Sequence, residues 1–225
     1  MKKVTIAILF IFLCSTRAFA IHPLITDDAD TLGQGNAQLE VNDEYDHDEE
    51  AGVSAKVYEL ASTLTNGLIE RADLAVELKW KFYNRSNLGR TLMPGFTLPT
   101  GDEDKGLGTG KAGYGAFLIG SLDLAPFMAH ANLGYLRNEN ETGDRKDIWH
   151  ASLASEYAVN EKLTTVANIG LETNPDRLSD TPPAFLLGGL IYSITDKISL
   201  DGGLKFGLNK PEVDYAILAG MTLSF

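Results

Sequence analysis

The chain has 225 residues, with 31 Asp plus Glu against 19 Lys plus Arg, a formal net charge of −12, and 44% hydrophobic residues. So acidic a balance lacks the basic footprint that nucleic acid requires and excludes it as a partner. The one cysteine, Cys14, lies near the start, so the rest of the chain offers no disulfide, thiol nucleophile or thiolate metal ligand.

Residues 1–20 read as a secretory signal peptide: Lys2 and Lys3, an apolar run from Val4 to Leu13, then the small-x-small site Ala18-Phe19-Ala20. The apolar run is about half the roughly 20 residues that a membrane-spanning helix needs. Ile11, Phe12 and Leu13 stand where a lipoprotein signal has a small residue before its cysteine, so Cys14 is not read as a lipidation site. The mature chain is expected to begin near Ile21. Losing Lys2, Lys3 and Arg17 leaves 16 basic against 31 acidic residues, a net charge of −15. No later stretch is apolar for long enough to span a bilayer as a helix, although much apolar surface remains to be buried. Strands of a β-barrel hide such surface against lipid without any long apolar run.

Ile21 to Gly35 is polar and broken by Pro and Gly, the pattern of an extended arm, expected in the periplasm. Alternation begins at Asn36: Ala37, Leu39 and Val41 share one face, while Gln38, Glu40, Asn42 and Glu44 share the other. Asp46 to Gly52 reads as an acidic loop. A second strand is predicted from Val53 to Thr65, followed by a turn at Asn66-Gly67. In the next segment Leu74, Val76, Leu78, Trp80 and Phe82 oppose Asp73, Ala75, Glu77, Lys79 and Lys81, a face too charged for a membrane-buried helix. Further strands are predicted over 88–98, 113–124, 127–137, 148–158, 163–173, 184–194 and 198–208.

The last strand, Tyr215 to Phe225, sets Tyr215, Ile217, Ala219, Met221, Leu223 and Phe225 on one face and is expected to close the barrel against the first. Short connections at Ala125-Pro126, 159–162 and 195–197 alternate with long ones at 100–111, 138–147 and 174–183. Such barrels have short periplasmic turns and long external loops, so both termini are assigned to the periplasm. The predicted fold is all-β: an antiparallel up-and-down transmembrane β-barrel forming one domain over 21–225. The segments above number eleven, but single-chain barrels have an even number of strands, so twelve is preferred, with ten as the alternative.

Two stretches carry a likeness beyond the general barrel pattern. They are His22-Pro23-Leu24-Ile25-Thr26-Asp27-Asp28-Ala29 leading into 35–40, and Phe96-Thr97-Leu98-Pro99-Thr100-Gly101-Asp102 leading into Gly106-Leu107-Gly108. Together they resemble the phenol-degradation outer-membrane family named for the MetA pathway, over essentially the whole mature chain. The resemblance implies a barrel of the Gram-negative outer membrane that acts as a transporter, with its insertion machinery recognising a terminal strand that ends in Phe225. Against the family pattern the chain is short between Thr65 and Leu88, as though one strand were lost.

The inward face offers Glu40, Glu44, Glu77, Lys79, Lys81, His130, Glu156, Glu172, Asp201 and Lys205 as lumen-lining candidates. Mixed signs suit either a polar pore lining or a plugged structural barrel. The preferred reading is a channel for small solutes, aromatic or hydrophobic ones included, with outer-membrane lipid and lipopolysaccharide as its surroundings and no cofactor. The enzymatic alternative is a lipid hydrolase: His150 and Ser152 share one face of one strand, as a base and nucleophile would, and Asn168 or Glu172 could orient the imidazole. That alternative requires the pair to face lipid, whereas Ala151, Leu153 and Tyr157 take that face. The acidic runs at 27–30 and 102–104 read as solvated loops, because Leu32 and Leu39 replace oxygen ligands of a calcium loop counted from Asp28. The glycine-rich run 106–111 lacks the first glycine and the Ser or Thr of a phosphate loop.

Overall fold

The computed structural model describes residues 22–28, 38–50, 53–64, 74–99, 111–141 and 143–225. The expected signal segment, the arm after Asp28 and the glycine-rich run 106–110 lie outside these residues. The chain forms β1 (Gln38–Glu50), β2 (Val53–Leu64), β3 (Leu74–Glu77), β4 (Trp80–Arg85), β5 (Leu88–Leu98), β6 (Gly113–Leu124), β7 (Phe127–Arg137), β8 (Asp147–Ala158), β9 (Leu163–Glu172), β10 (Ala184–Thr195), β11 (Ile198–Gly207) and β12 (Tyr215–Ser224). All belong to one antiparallel up-and-down sheet of order β2-β1-β12-β11-β10-β9-β8-β7-β6-β5-β3, with β4 also paired to β5. The terminal strand pairs on one side with β11 and on the other with β1, from Gln38 opposite Ser224 to His47 opposite Tyr215.

The sheet is inside out with respect to a soluble protein. On β8 the even-numbered residues from Ile148 to Glu156 are covered, while Trp149, Leu153 and Tyr157 are exposed. The same alternation leaves Leu133, Ile169, Leu186, Leu190, Leu204 and Ile217 exposed and buries Asn132, Asn168, Leu187, Ala216 and Thr222. Apolar surface faces outward, as a barrel wall in lipid requires, while the buried polar groups are gathered on the inner face together with an apolar patch. Two aromatic pairs bracket the band on adjacent strands: Phe127 with Tyr157 at 4.7 Å, and Tyr135 with Trp149 at 4.9 Å. Phe127 and Tyr135 are eight residues apart on β7. At about 3.4 Å per residue and a tilt of about 40°, that separation gives a height of roughly 20 Å, close to the apolar band of outer-membrane barrels.

Two sequence expectations are corrected. The run from Leu74 to Phe82 is not one strand: it breaks at Leu78-Lys79 into β3 and β4, both laid against β5, and the register slips between Lys81 and Tyr83. The acidic stretch from Asp46 to Glu50 is not a loop, because the β1–β2 ladder continues to Glu50 opposite Val53. Backbone pairing needs no apolar side chains, so the hairpin extends past the apolar band.

The register also accounts for the odd count. Leu64 pairs with Leu39 at the end of the sheet that holds the chain terminus, whereas Leu74 pairs with Leu98 at the opposite end. β2 therefore ends and β3 begins at opposite ends of the sheet, although consecutive strands from β5 onward each begin at the end where the one before them stops. Among the described residues no ladder joins β2 to β3 or β4.

Candidate functional site

The interior is built by the inward residues of successive strands, and cross-strand register decides which of them meet. Ser121 on β6 stands opposite His130 on β7, and Glu156 on β8 is the diagonal neighbour. The His130 ring bridges them, with Nδ1 2.7 Å from Ser121 Oγ and Nε2 3.1 Å from Glu156 Oε1. His150 faces Glu172 across β8 and β9; its Nε2 lies 3.0 Å from Ser152 Oγ and its Nδ1 3.8 Å from Glu172 Oε2. The Phe117 ring meets the His150 ring edge to face at 5.6 Å. Lys205 Nζ lies 2.7 Å from Glu44 Oε1 and 3.7 Å from Glu212 Oε1.

Across the middle of this interior lies His22–Asp28. Thr26 is fully buried and Leu24 is 8% exposed, sharing an apolar patch with Ala154, Val166, Phe185, Leu187, Ile191, Ala216 and Leu218. Asn168 accepts the backbone N–H groups of Ile25 at 2.8 Å and Thr26 at 3.0 Å, and donates to Thr26 Oγ1 at 2.6 Å. With its amide oriented to satisfy its surroundings, Asn132 donates to the Asp27 carbonyl at 2.9 Å and accepts the Asp27 N–H at 2.6 Å. The two ends are held by side chains. His22 is hydrogen-bonded to Asp201 on β11, and Lys79, at the break between β3 and β4, reaches Asp27 at 2.9 Å and Asp28 at 3.4 Å.

Beside this segment, toward the long loops, is a cavity of about 320 Å³ whose lining includes Glu77, Met93, Phe117, Ile148, Glu172 and Pro175. Apolar side chains thus share the space with two carboxylates.

The sequence-predicted lumen residues separate into groups. Glu44 with Lys205 and His130 with Glu156 form pairs, Lys79 and Asp201 hold the arm, and Glu77 and Glu172 line the cavity. Lys81 is inward by its register opposite Thr91; Glu40 stands opposite Thr222, and its side chain lies outside the described set. The expectation that Asp27 and Asp28 are solvated is corrected, since both are largely covered and paired with Lys79. Asn168 clamps the arm rather than orienting an imidazole. Ser121 and Asn132 were not among the sequence candidates; their inward phase was readable, but a neutral polar residue in that phase signals no partner.

A polar-lined antiparallel sheet with an apolar exterior and aromatic edges defines an outer-membrane-type β-barrel. The chain belongs to the family described as "Putative MetA-pathway of phenol degradation", whose model matches residues 16–225. Among solved structures it is similar to the NanC porin, at 14% identity and a TM-score of 0.54 over 82% of this chain and 98% of that one. An anion-selective porin from Comamonas acidovorans matches at 13% identity and a TM-score of 0.46, over 66% of this chain and 48% of that one. OmpT, an outer membrane protein of Vibrio cholerae, matches at 9% identity and a TM-score of 0.48, over 84% and 98%. No curated protein matches the sequence.

Proposed function

We propose that this protein is an outer-membrane channel for small solutes, with aromatic and other hydrophobic molecules among those it passes. One observation carries the reading: the polar inward face surrounds a cavity beneath the long loops, while the outward face is fit only for lipid. An apolar cavity of about 150 Å³ already holds benzene, so a cavity of about 320 Å³ takes a substituted ring. Met93, Phe117 and Ile148 offer the ring apolar contact, and Glu77 and Glu172 accept hydrogen bonds from its hydroxyl or amine. On the same reading, residues 21–225 are one exported domain that has lost its signal peptide, met the insertion machinery and settled among outer-membrane lipid and lipopolysaccharide.

The lipid-hydrolase alternative loses its footing on orientation. His150 and Ser152 are hydrogen-bonded, but both point inward, Ser152 is 5% exposed, and Phe117 covers the imidazole. The plugged-scaffold alternative gains support from His22–Asp28 and is separated from the channel by measurement. Purified protein in planar bilayers and in liposomes should give conductance and uptake of phenol-sized aromatics; if neither occurs, the scaffold reading replaces the channel.

A further inference from the structure

The segment His22–Asp28 is recognised as a peptide ligand would be. Its backbone is read by side chains rather than by a ladder: Asn168 takes two successive N–H groups, and Asn132 takes both the N–H and the carbonyl of Asp27. These asparagines are 1% and 3% exposed, so each is a buried polar group satisfied by the segment. The seat is shaped as well as polar. A Cβ at Gly189 would stand 2.7 Å from the Pro23 ring, one at Gly203 3.0 Å, and one at Gly220 2.6 Å from the His22 imidazole. Leu24 fills the apolar patch between. None of residues 22–28 belongs to a strand, so the segment can leave without breaking any sheet pairing.

We propose that the inner wall is a binding site for an extended peptide, that His22–Asp28 is its resident ligand, and that its release opens the lumen. The opening rests on the channel reading above; the binding does not. The middle of the segment is anchored by buried hydrogen bonds and Leu24, while the Lys79 pairs at its far end are partly solvated, with side chains 24% exposed for both Lys79 and Asp27.

The test uses the full chain with Cys14→Ser, which leaves no natural cysteine. Thr26→Cys places a thiol in the buried middle of the segment, and its modification by a membrane-impermeant reagent reports release. Adding Asn132→Ala and Asn168→Ala should accelerate labelling and raise the open fraction in planar bilayers by about tenfold or more, the change expected for about 1.4 kcal/mol. A variant lacking residues 22–28 should conduct continuously and be blocked saturably by a synthetic peptide of that sequence, but not by a scrambled one. Should the deletion not assemble, the labelling comparison stands on its own. Equal labelling with and without the asparagines, or a deletion variant indifferent to the peptide, overturns the binding site. Accelerated labelling in a protein that never conducts in any form leaves the binding site standing and overturns the opening and the channel reading together.

Discussion

Asn168 is the residue on which most of the interior converges. Besides its bonds to Ile25 and Thr26 it donates to the Leu153 carbonyl at 2.9 Å, so replacing it strands several buried groups at once. Each unsatisfied buried group costs about 1–3 kcal/mol, and Asn168→Ala is expected to lower unfolding stability by on the order of 3 kcal/mol in a urea titration. A loss below about 0.5 kcal/mol, the range of an ordinary surface change, would show that the clamp is not formed. Glycines offer a sharper contrast. A Cβ at Gly220 would meet the His22 imidazole at 2.6 Å and the Asp201 carboxylate at 2.7 Å, whereas one at Gly188 would meet nothing nearer than 4.0 Å. Gly220→Ala should therefore expose residue 26 to the thiol reagent, and Gly188→Ala should not. None of this pairing could be read from the sequence. Period-two alternation tells which face Asn168 and Asp201 occupy, but a partner 142 or 179 residues away depends on register and on where an irregular arm comes to rest.

At the scale of elements, alternation was a sound guide wherever strands are regular and failed where they end or break. The face that carries Leu78, Trp80 and Phe82 keeps its exposed phase through the break, so nothing in the sequence marks Leu78-Lys79 as the place where pairing lapses. The loop between β7 and β8 shows what holds a connection in place. Glu139 accepts from Arg137 Nε at 2.8 Å and pairs with Lys146, Asn138 N donates to the Lys146 carbonyl at 2.7 Å, and Lys111 reaches Glu141 at 2.6 Å. Hydrogen bonds from Lys146 and Arg137 hold the Glu139 carboxyl below the usual glutamate range, and Lys111 does the same for Glu141. A lowered folded pKa means stabilisation that is present above the ordinary glutamate value of 4.5 and lost as pH falls through the folded value. Amide exchange at Asn138, corrected for intrinsic rate, should show protection at neutral pH that fades only below that value. Glu139→Gln should have little protection at either pH. Pair formation that is insensitive to acid, or a glutamine variant as protected as the native loop, would contradict the assignment.

At the scale of the whole molecule, strand parity and lumen charge belong to one question, which is what a barrel of this size leaves open. Eleven alternating segments are legible in the sequence, and their odd number points to the stretch before β5, part of which lies outside the described residues. Only register shows that Leu64 and Leu74 sit at opposite ends of the sheet. A curved wall of this many strands leaves only a narrow interior, and the arm narrows it further, so charges on the inner face act at short range on anything beside them. Inward carboxylates Glu44, Glu156, Glu172 and Asp201, with Glu77 on the cavity and Asp27 and Asp28 on the arm, outnumber the cationic groups of Lys79, Lys81 and Lys205 together with Arg137 beside the cavity. On the proposed channel reading, cations should pass in preference to anions. Screening sets how strongly: the Debye length is about 10 Å at 0.1 M salt and about 3 Å at 1 M, so the preference should be marked in dilute KCl and shrink in concentrated KCl. Reversal potentials across a KCl gradient measure it directly, and Glu77→Gln with Glu172→Gln should move the potential toward zero by removing the two carboxylates that line the cavity. Anion preference in dilute salt would mean that the solute path avoids this face, and the cavity between Glu77 and Glu172 would cease to be its entrance.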